Sequence, residues 1–216
     1  MVIKGINPIE ISSLCNKQCV YCPSKNVASH RPTGIMTMPI FEKCIDIMRT
    51  LPYTGGINLH GMGEPLMNPH IIDMVQYAKH RLRNDIHICT NGLWFDDRLA
   101  RELKYVGLDY LDVTDHDPII TARVNKICSE HGINGVVSDA FRNMTHSWAG
   151  LIPLPHDERW GGCKALSDGI VTVLWNGDIT RCCIDANGVG VMGNILDGLE
   201  GLETGKFELC EKCHLN

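Results

Sequence analysis

The sequence predicts an α/β chain: residues 1–155 as a partial β/α barrel of five or six repeats, and residues 156–216 as a small C-terminal domain made of a β-hairpin and a short helix. Three observations predict it. Strand-like and helix-like segments alternate with short links from the first residue to about 155, the order that gives a parallel sheet with helices outside. The helical segments carry apolar stripes. After Trp160 the texture changes, and "GIVTVLWNGDITRCC" sets two extended runs around Asn-Gly, the strongest short hairpin signal. Five or six repeats are too few for a complete eightfold barrel.

Taken in order, "INPIEIS" (6–12) reads as the first strand, with Ile9 and Ile11 on one face. "TMPIFEKCIDIMRTL" reads as a helix, with Pro39 in its first turn and Ile40, Phe41, Cys44, Ile45, Met48 and Leu51 as its stripe. "GGINLHG" is a short buried strand. "NPHIIDMVQYAKHR" is a helix with Asn68 as N-cap and Pro69 as its first residue. "DIHICTNG" and "LDYLDVT" are strands, "DDRLARELKYVG" and "PIITARVNKICSEHG" helices, and "INGVVS" a further strand, with "GLIPLP" as a candidate for one more. A short helical piece is expected near 198–207, ahead of "CEKCH".

Composition narrows the function. A formal net charge of −5, with no block of Lys and Arg, argues against a nucleic-acid surface. The N-terminus "MVIKGINPIEISS" alternates like a strand and lacks the apolar run of a signal peptide, and no 18-residue apolar segment exists, so neither export nor a membrane span is expected. Eleven cysteines, an odd number in tight local clusters, favour metal sites in a reducing cytoplasm over disulfides.

The densest cluster is "SSLCNKQCVYCPSK", where Cys15, Cys19 and Cys22 follow directly on the first strand. Loops at the carboxyl ends of parallel strands line the active site of such folds. Thiolates suit zinc or iron–sulfur clusters. Three of them would leave one iron of a cubane cluster open to a substrate or cofactor; the alternative is zinc completed by His30 or His60.

The spacing Cys-x3-Cys-x2-Cys, with Tyr21 before the last cysteine, resembles the signature of the radical S-adenosylmethionine (SAM) enzymes. The resemblance implies a [4Fe-4S] cluster on Cys15, Cys19 and Cys22 whose open iron chelates SAM, and a 5′-deoxyadenosyl radical that takes hydrogen from an unactivated C–H bond. "LHGMGEP" (59–65) resembles the family's glycine–glutamate motif, which implies that Gly61, Met62, Gly63 and Glu64 meet the amino group of SAM. "CTNG" and "DVTDHDP" resemble its polar strand ends, and the resemblance puts Tyr21, Asn91 and Thr114 on the cofactor, with Thr90, Asp115 and His116 as further candidates.

The second cluster, Cys163-x13-Gly177-x4-Cys182 followed by Cys210 and Cys213, resembles the SPASM and twitch domains that follow many radical SAM barrels. It implies a second [4Fe-4S] cluster on Cys163, Cys182, Cys210 and Cys213. Cys183 is a substitute for Cys182, and a zinc ribbon is the alternative. "VMGNILDG" resembles the glycine–asparagine stretch of these tails, while Cys44, Cys89 and Cys128 read as buried apolar residues. The resemblance further implies a small, polar, sugar- or cyclitol-like substrate oxidised from alcohol to ketone, with the auxiliary cluster as electron acceptor and a flavodoxin- or ferredoxin-type protein as electron donor. His116 and Arg142 are the candidate bases. Epimerisation of a small molecule, with a thiol such as Cys183 returning hydrogen, and modification of ribosomal peptides are the alternatives.

Overall fold

The computed structural model describes residues 1–24, 31–139, 147–152, 161–213 and 215. Among the described residues there are eight strands, of which the first six are separated by helices and the last three follow one another. They are β1 (Gly5–Ile9), β2 (Ile57–Asn58), β3 (Ile86–Thr90), β4 (Tyr110–Asp115), β5 (Asn134–Asp139), β6 (Ile170–Val173), β7 (Asp178–Thr180) and β8 (Val191–Asn194). The helices are α1 (Met38–Met48), α2 (Ile71–Arg81), α3 (Asp97–Tyr105), α4 (Pro118–His131), α5 (Lys164–Ser167) and α6 (Glu208–Glu211).

Two four-stranded sheets form, in the orders β2-β3-β4-β5 and β1-β6-β7-β8. The first is parallel throughout; in the second, β6 runs parallel to β1, and β7 and β8 follow antiparallel. A side chain bridges the seam between them: Asn58 N–H of β2 donates to Asn7 Oδ1 of β1 at 2.8 Å. The expected Asn-Gly hairpin is therefore present as β6–β7, and its first strand is also the neighbour of β1.

Helix ends follow their local chemistry. Asp96 accepts from Leu99 N–H at 2.8 Å to start α3. Asp117 accepts from Ile119 N–H at 2.9 Å ahead of Pro118, and Gly132 closes α4 in the left-handed conformation. In α1, Phe41, Cys44, Ile45 and Met48 are buried, as the stripe predicts, and Ile40 and Leu51 pack partly against the core.

Asn68 corrects its expectation. Its amide donates to Ile11 O and Met36 O at 2.8 and 3.0 Å, so the side chain joins the end of β1 to the approach to α1, and α2 begins later, at Ile71. The helical piece expected near 198–207 is likewise split, into a 3-10 turn at Ile195–Asp197 and α6.

The two faces of the parallel sheet differ. Ile86, Ile88, Leu111 and Val113 are fully buried with the helix stripes. The alternate residues His87, Cys89, Tyr110, Asp112 and Thr114 are half-buried on the other face, where a closed barrel would carry branched apolar side chains. No helix among the described residues is long and apolar enough to cross a membrane.

Candidate active site

Parallel strands bring their carboxyl ends to one edge. There the cysteine loop after β1, the 60–64 loop after β2, Asn91 after β3 and the end of β4 line one cavity of about 230 Å³. Of the residues expected on the cofactor, Tyr21, Gly61, Met62, Gly63, Glu64, Asn91 and Thr114 all lie on this wall, with Cys15, Cys19 and Cys22. A larger cavity of about 860 Å³ adjoins it, and His60, Gly61, Met62 and Trp148 belong to the walls of both. Trp148 and Ala149 hold left-handed backbone (φ 50° and 54°), a strained turn at this partition.

The glycines of the 60–64 loop are required by close approach. A Cβ at Gly63 would stand 2.4 Å from Ser12 O and 2.5 Å from Leu14 O, both backbone atoms of the cysteine loop. A Cβ at Gly61 would stand 2.4 Å from Glu10 Cγ. Two further bonds fix the loop: Glu64 N–H donates to Leu14 O at 2.7 Å, and Met62 N–H to Glu10 Oε1 at 3.0 Å.

Glu64 is buried, and its carboxylate accepts from Thr90 Oγ1 (2.6 Å), Asn91 N–H (2.8 Å) and Leu66 N–H (3.1 Å). Burial outweighs these bonds and raises its pKa. These three donors hold Glu64 on the wall of the cavity, where its carboxylate also positions the strand ends. Asn91 donates to Asn16 Oδ1 at 2.7 Å, tying β3 to the cysteine loop.

Tyr21 stacks on His116, with ring centroids 5.7 Å apart, and its hydroxyl is hydrogen-bonded to His116 Nδ1. Burial, then Lys17, lowers the His116 pKa. His116 lines the smaller cavity, beside Tyr21, and not the larger. Arg142 and His30 lie outside the described residues.

Cys15 is exposed, and Cys19 and Cys22 are half-buried. Lys17 N–H points at Cys15 Sγ at 3.4 Å. Burial raises the Cys15 pKa, and Glu64, Cys22 and Cys19 raise it further. Three cysteines without disulfide partners on one loop fit a cationic core that takes them as thiolates.

In the tail, Cys163, Cys182, Cys210 and Cys213 line a third cavity, with Phe207 and Leu209. Backbone N–H groups point at Cys163 Sγ and Cys213 Sγ, each at 3.4 Å. Cys183 belongs instead to the wall of the 860 Å³ cavity. Its thiol is hydrogen-bonded to Cys182, which pushes Cys182 up and Cys183 down. Among the described residues, no three His, Cys, Asp or Glu side chains converge on a point for one metal ion; the thiolates of a cubane cluster bind separate irons.

Sequence reasoning missed four participants. Cys89, read as apolar core, is half-buried on the smaller cavity, 3.7 Å from Thr114 Oγ1, because alternation along β3 turns it to the polar face. Cys44 and Cys128 are buried as expected. Glu10 and Arg31 form a buried pair at 2.6 and 2.9 Å. His60, entertained only as a zinc ligand, stands on the wall between the cavities.

Comparison with known proteins gives a family and a fold. The profile of the Radical SAM superfamily matches residues 9–134, more than half of the chain. An S-adenosyl-L-methionine-dependent 2-deoxy-scyllo-inosamine dehydrogenase of Niallia circulans is 25% identical over 95% of this chain and 91% of its own length. A tungsten-containing aldehyde ferredoxin oxidoreductase cofactor-modifying protein of Pyrococcus furiosus is 30% identical over 63% of this chain and 37% of its own. Among solved structures, BtrN in complex with AdoMet and 2-DOIA superposes with a TM-score of 0.75 at 23% identity, over 92% of this chain and 80% of that one. Native anSMEcpe with bound AdoMet gives 0.65 at 14% identity, over 95% and 85%.

Proposed function

This chain belongs to the Radical SAM superfamily, and from that premise we propose that it oxidises a secondary alcohol of a small polar, sugar- or cyclitol-like molecule to a ketone. One observation carries the reading: the cavity lined by Cys15, Cys19 and Cys22 shares a wall with a second cavity of about 860 Å³, large enough for such a molecule. Likeness to the Niallia circulans dehydrogenase along nearly the whole chain supports the substrate class.

In this reading Cys15, Cys19 and Cys22 hold a [4Fe-4S] cluster with one iron open to SAM. The 61–64 loop, Tyr21, Asn91 and Thr114 shape the space for SAM. Cys163, Cys182, Cys210 and Cys213 hold a second [4Fe-4S] cluster in the twitch-like tail. When bound, these groups supply hydrogen-atom abstraction and a one-electron acceptor. The protein's own residues do the rest: Gly61 and Gly63 let backbone come close, Glu64 and Asn91 fix three strand ends, and Met62 and Trp148 separate cofactor from substrate. Net, the alcohol gives up one hydrogen atom, one proton and one electron. A flavodoxin- or ferredoxin-type donor supplies the starting electron.

A second reading, epimerisation, is favoured by one observation: Cys183 belongs to the wall of the large cavity, where its thiol could return a hydrogen atom. Anaerobic incubation with SAM, reductant and a panel of amino cyclitols, sugars and short peptides separates the two. Dehydrogenation gives a product two hydrogens lighter and an equal amount of 5′-deoxyadenosine. Unchanged mass with solvent deuterium in the product would replace it with epimerisation, and turnover of peptides alone would remove the small-molecule reading.

A further inference from the structure

Of the two bases expected from the sequence, His116 lines only the smaller cavity and Arg142 lies outside the described residues. His60 is different. It stands two positions after β2, and it belongs to the wall of both cavities. Its Nδ1 is buried with no hydrogen-bond partner among the described residues. Burial, then the charge of His87, pushes its pKa down to about 4, so the ring is neutral at neutral pH.

A neutral imidazole carries one N–H and one bare nitrogen. A buried N–H without an acceptor is tolerated less well than an unpaired acceptor. The proton therefore belongs on Nε2, which unlike Nδ1 is not a buried atom without a partner, in a residue that lines both cavities. The position is fixed from behind: the next two residues are held against Glu10, Gly61 by its close approach and Met62 by its N–H bond.

We propose that His60 is a catalytic residue that donates its Nε2–H to the oxygen on the reacting carbon of the substrate. The proposal rests on the dehydrogenase reading. As that oxygen passes from hydroxyl to carbonyl it gathers negative charge, and a preorganised neutral donor strengthens its bond along that path without giving up its proton. The same contact selects for a substrate with oxygen at that carbon, because an analogue without it leaves the donor unpaired.

Three substitutions test this, in anaerobically purified, reconstituted enzyme given 2-deoxy-scyllo-inosamine and a panel of cyclitols and sugars. His60→Gln places an amide N–H near the position of Nε2, His60→Asn places one near Nδ1, and His60→Ala places none. The expected result is kcat within about tenfold of wild type for Gln and a loss of about 100-fold or more for Asn and Ala, the range for removal of one such donor. A purely structural role would not separate Gln from Asn in that order. In parallel, 15N spectra of the imidazoles at pH 7, with the His60 signal assigned by its disappearance in His60→Gln, are expected to show a neutral ring with its proton on Nε2. Equal losses in Gln and Asn, or a ring protonated on Nδ1, would overturn the role of His60 while leaving the oxidation of the panel intact. Failure of wild type to oxidise any panel member would instead overturn the dehydrogenase reading, and this role with it.

Discussion

At the scale of single residues, the site is governed by atoms with no room to move. Gly63 shows it most directly: an added methyl at 2.4 Å from Ser12 O meets backbone and not the end of a flexible side chain. Gly63→Ala is expected to cost about 1–3 kcal/mol of stability by overpacking, read from chemical denaturation, and to weaken SAM binding because the cysteine loop must shift. Unchanged SAM affinity would show that the loop does not depend on this contact. His60 gives a prediction in pH. Its folded pKa lies below the ordinary value near 6.5, so the unfolded chain takes up a proton first as pH falls. The stability from its neutral form is complete above the ordinary value and is lost as pH drops toward about 4. Between pH 7 and pH 5, wild type is expected to lose more of its thermal midpoint than His60→Gln; equal losses would mean that the ring is not buried as described. The residues carrying local patterns were legible from the sequence: three cysteines at fixed spacing, a glycine–glutamate loop and the tail cysteines. His60 and Cys89 were not: His60 lies just past a strand of two residues, too short to show a period, and the face to which β3 turns Cys89 is polar only because the sheet leaves it beside the cavity.

At the scale of elements, the ion pair of Glu10 and Arg31 joins pieces distant in sequence. Glu10 also accepts from Met62 N–H and from Trp175 N–H (3.3 Å), and Arg31 Nε donates to Ala186 O (3.1 Å). One buried pair thus ties the end of β1 to the glycine loop, to the β6–β7 turn and to the cysteine-bearing tail. Removing one partner leaves the other charge buried, at about 3–5 kcal/mol. Arg31→Met is expected to lose that much in urea denaturation, and Glu10→Leu with Arg31→Met to recover part of it, because two apolar groups leave no orphan charge. No recovery in the double variant would place the cost in lost hydrogen bonds instead. Sequence reasoning found the helices well, since α1 carries its stripe and α4 its Asp-Pro start and Gly stop. It missed this pair because an acidic residue closing a strand and an arginine 21 positions later have no local signature.

At the scale of the whole molecule, the first and last thirds of the chain share a sheet. β6 completes the parallel neighbourhood of β1, and the chain start is pinned to the tail by Lys4 N–H on Gly169 O at 2.8 Å. A fragment ending at residue 152 would leave β1 with an open edge. It is expected to aggregate or to lack a cooperative unfolding transition; a cooperative transition in that fragment would show that the barrel stands alone. The alternation of strands and helices made the fold class readable, whereas the pairing of β6 with β1 is a long-range choice that no local pattern records. The central claim is that the chain divides its cysteines into a set of three beside the SAM cavity and a set of four in the tail. Iron and sulfide counts on anaerobically purified protein test it most directly, in wild type and in Cys15, Cys19 and Cys22 changed together to Ala. The account predicts about eight irons per chain in wild type, about four in the variant, and loss of SAM cleavage in the variant. An unchanged iron content in the variant, or zinc in place of iron in wild type, would contradict it.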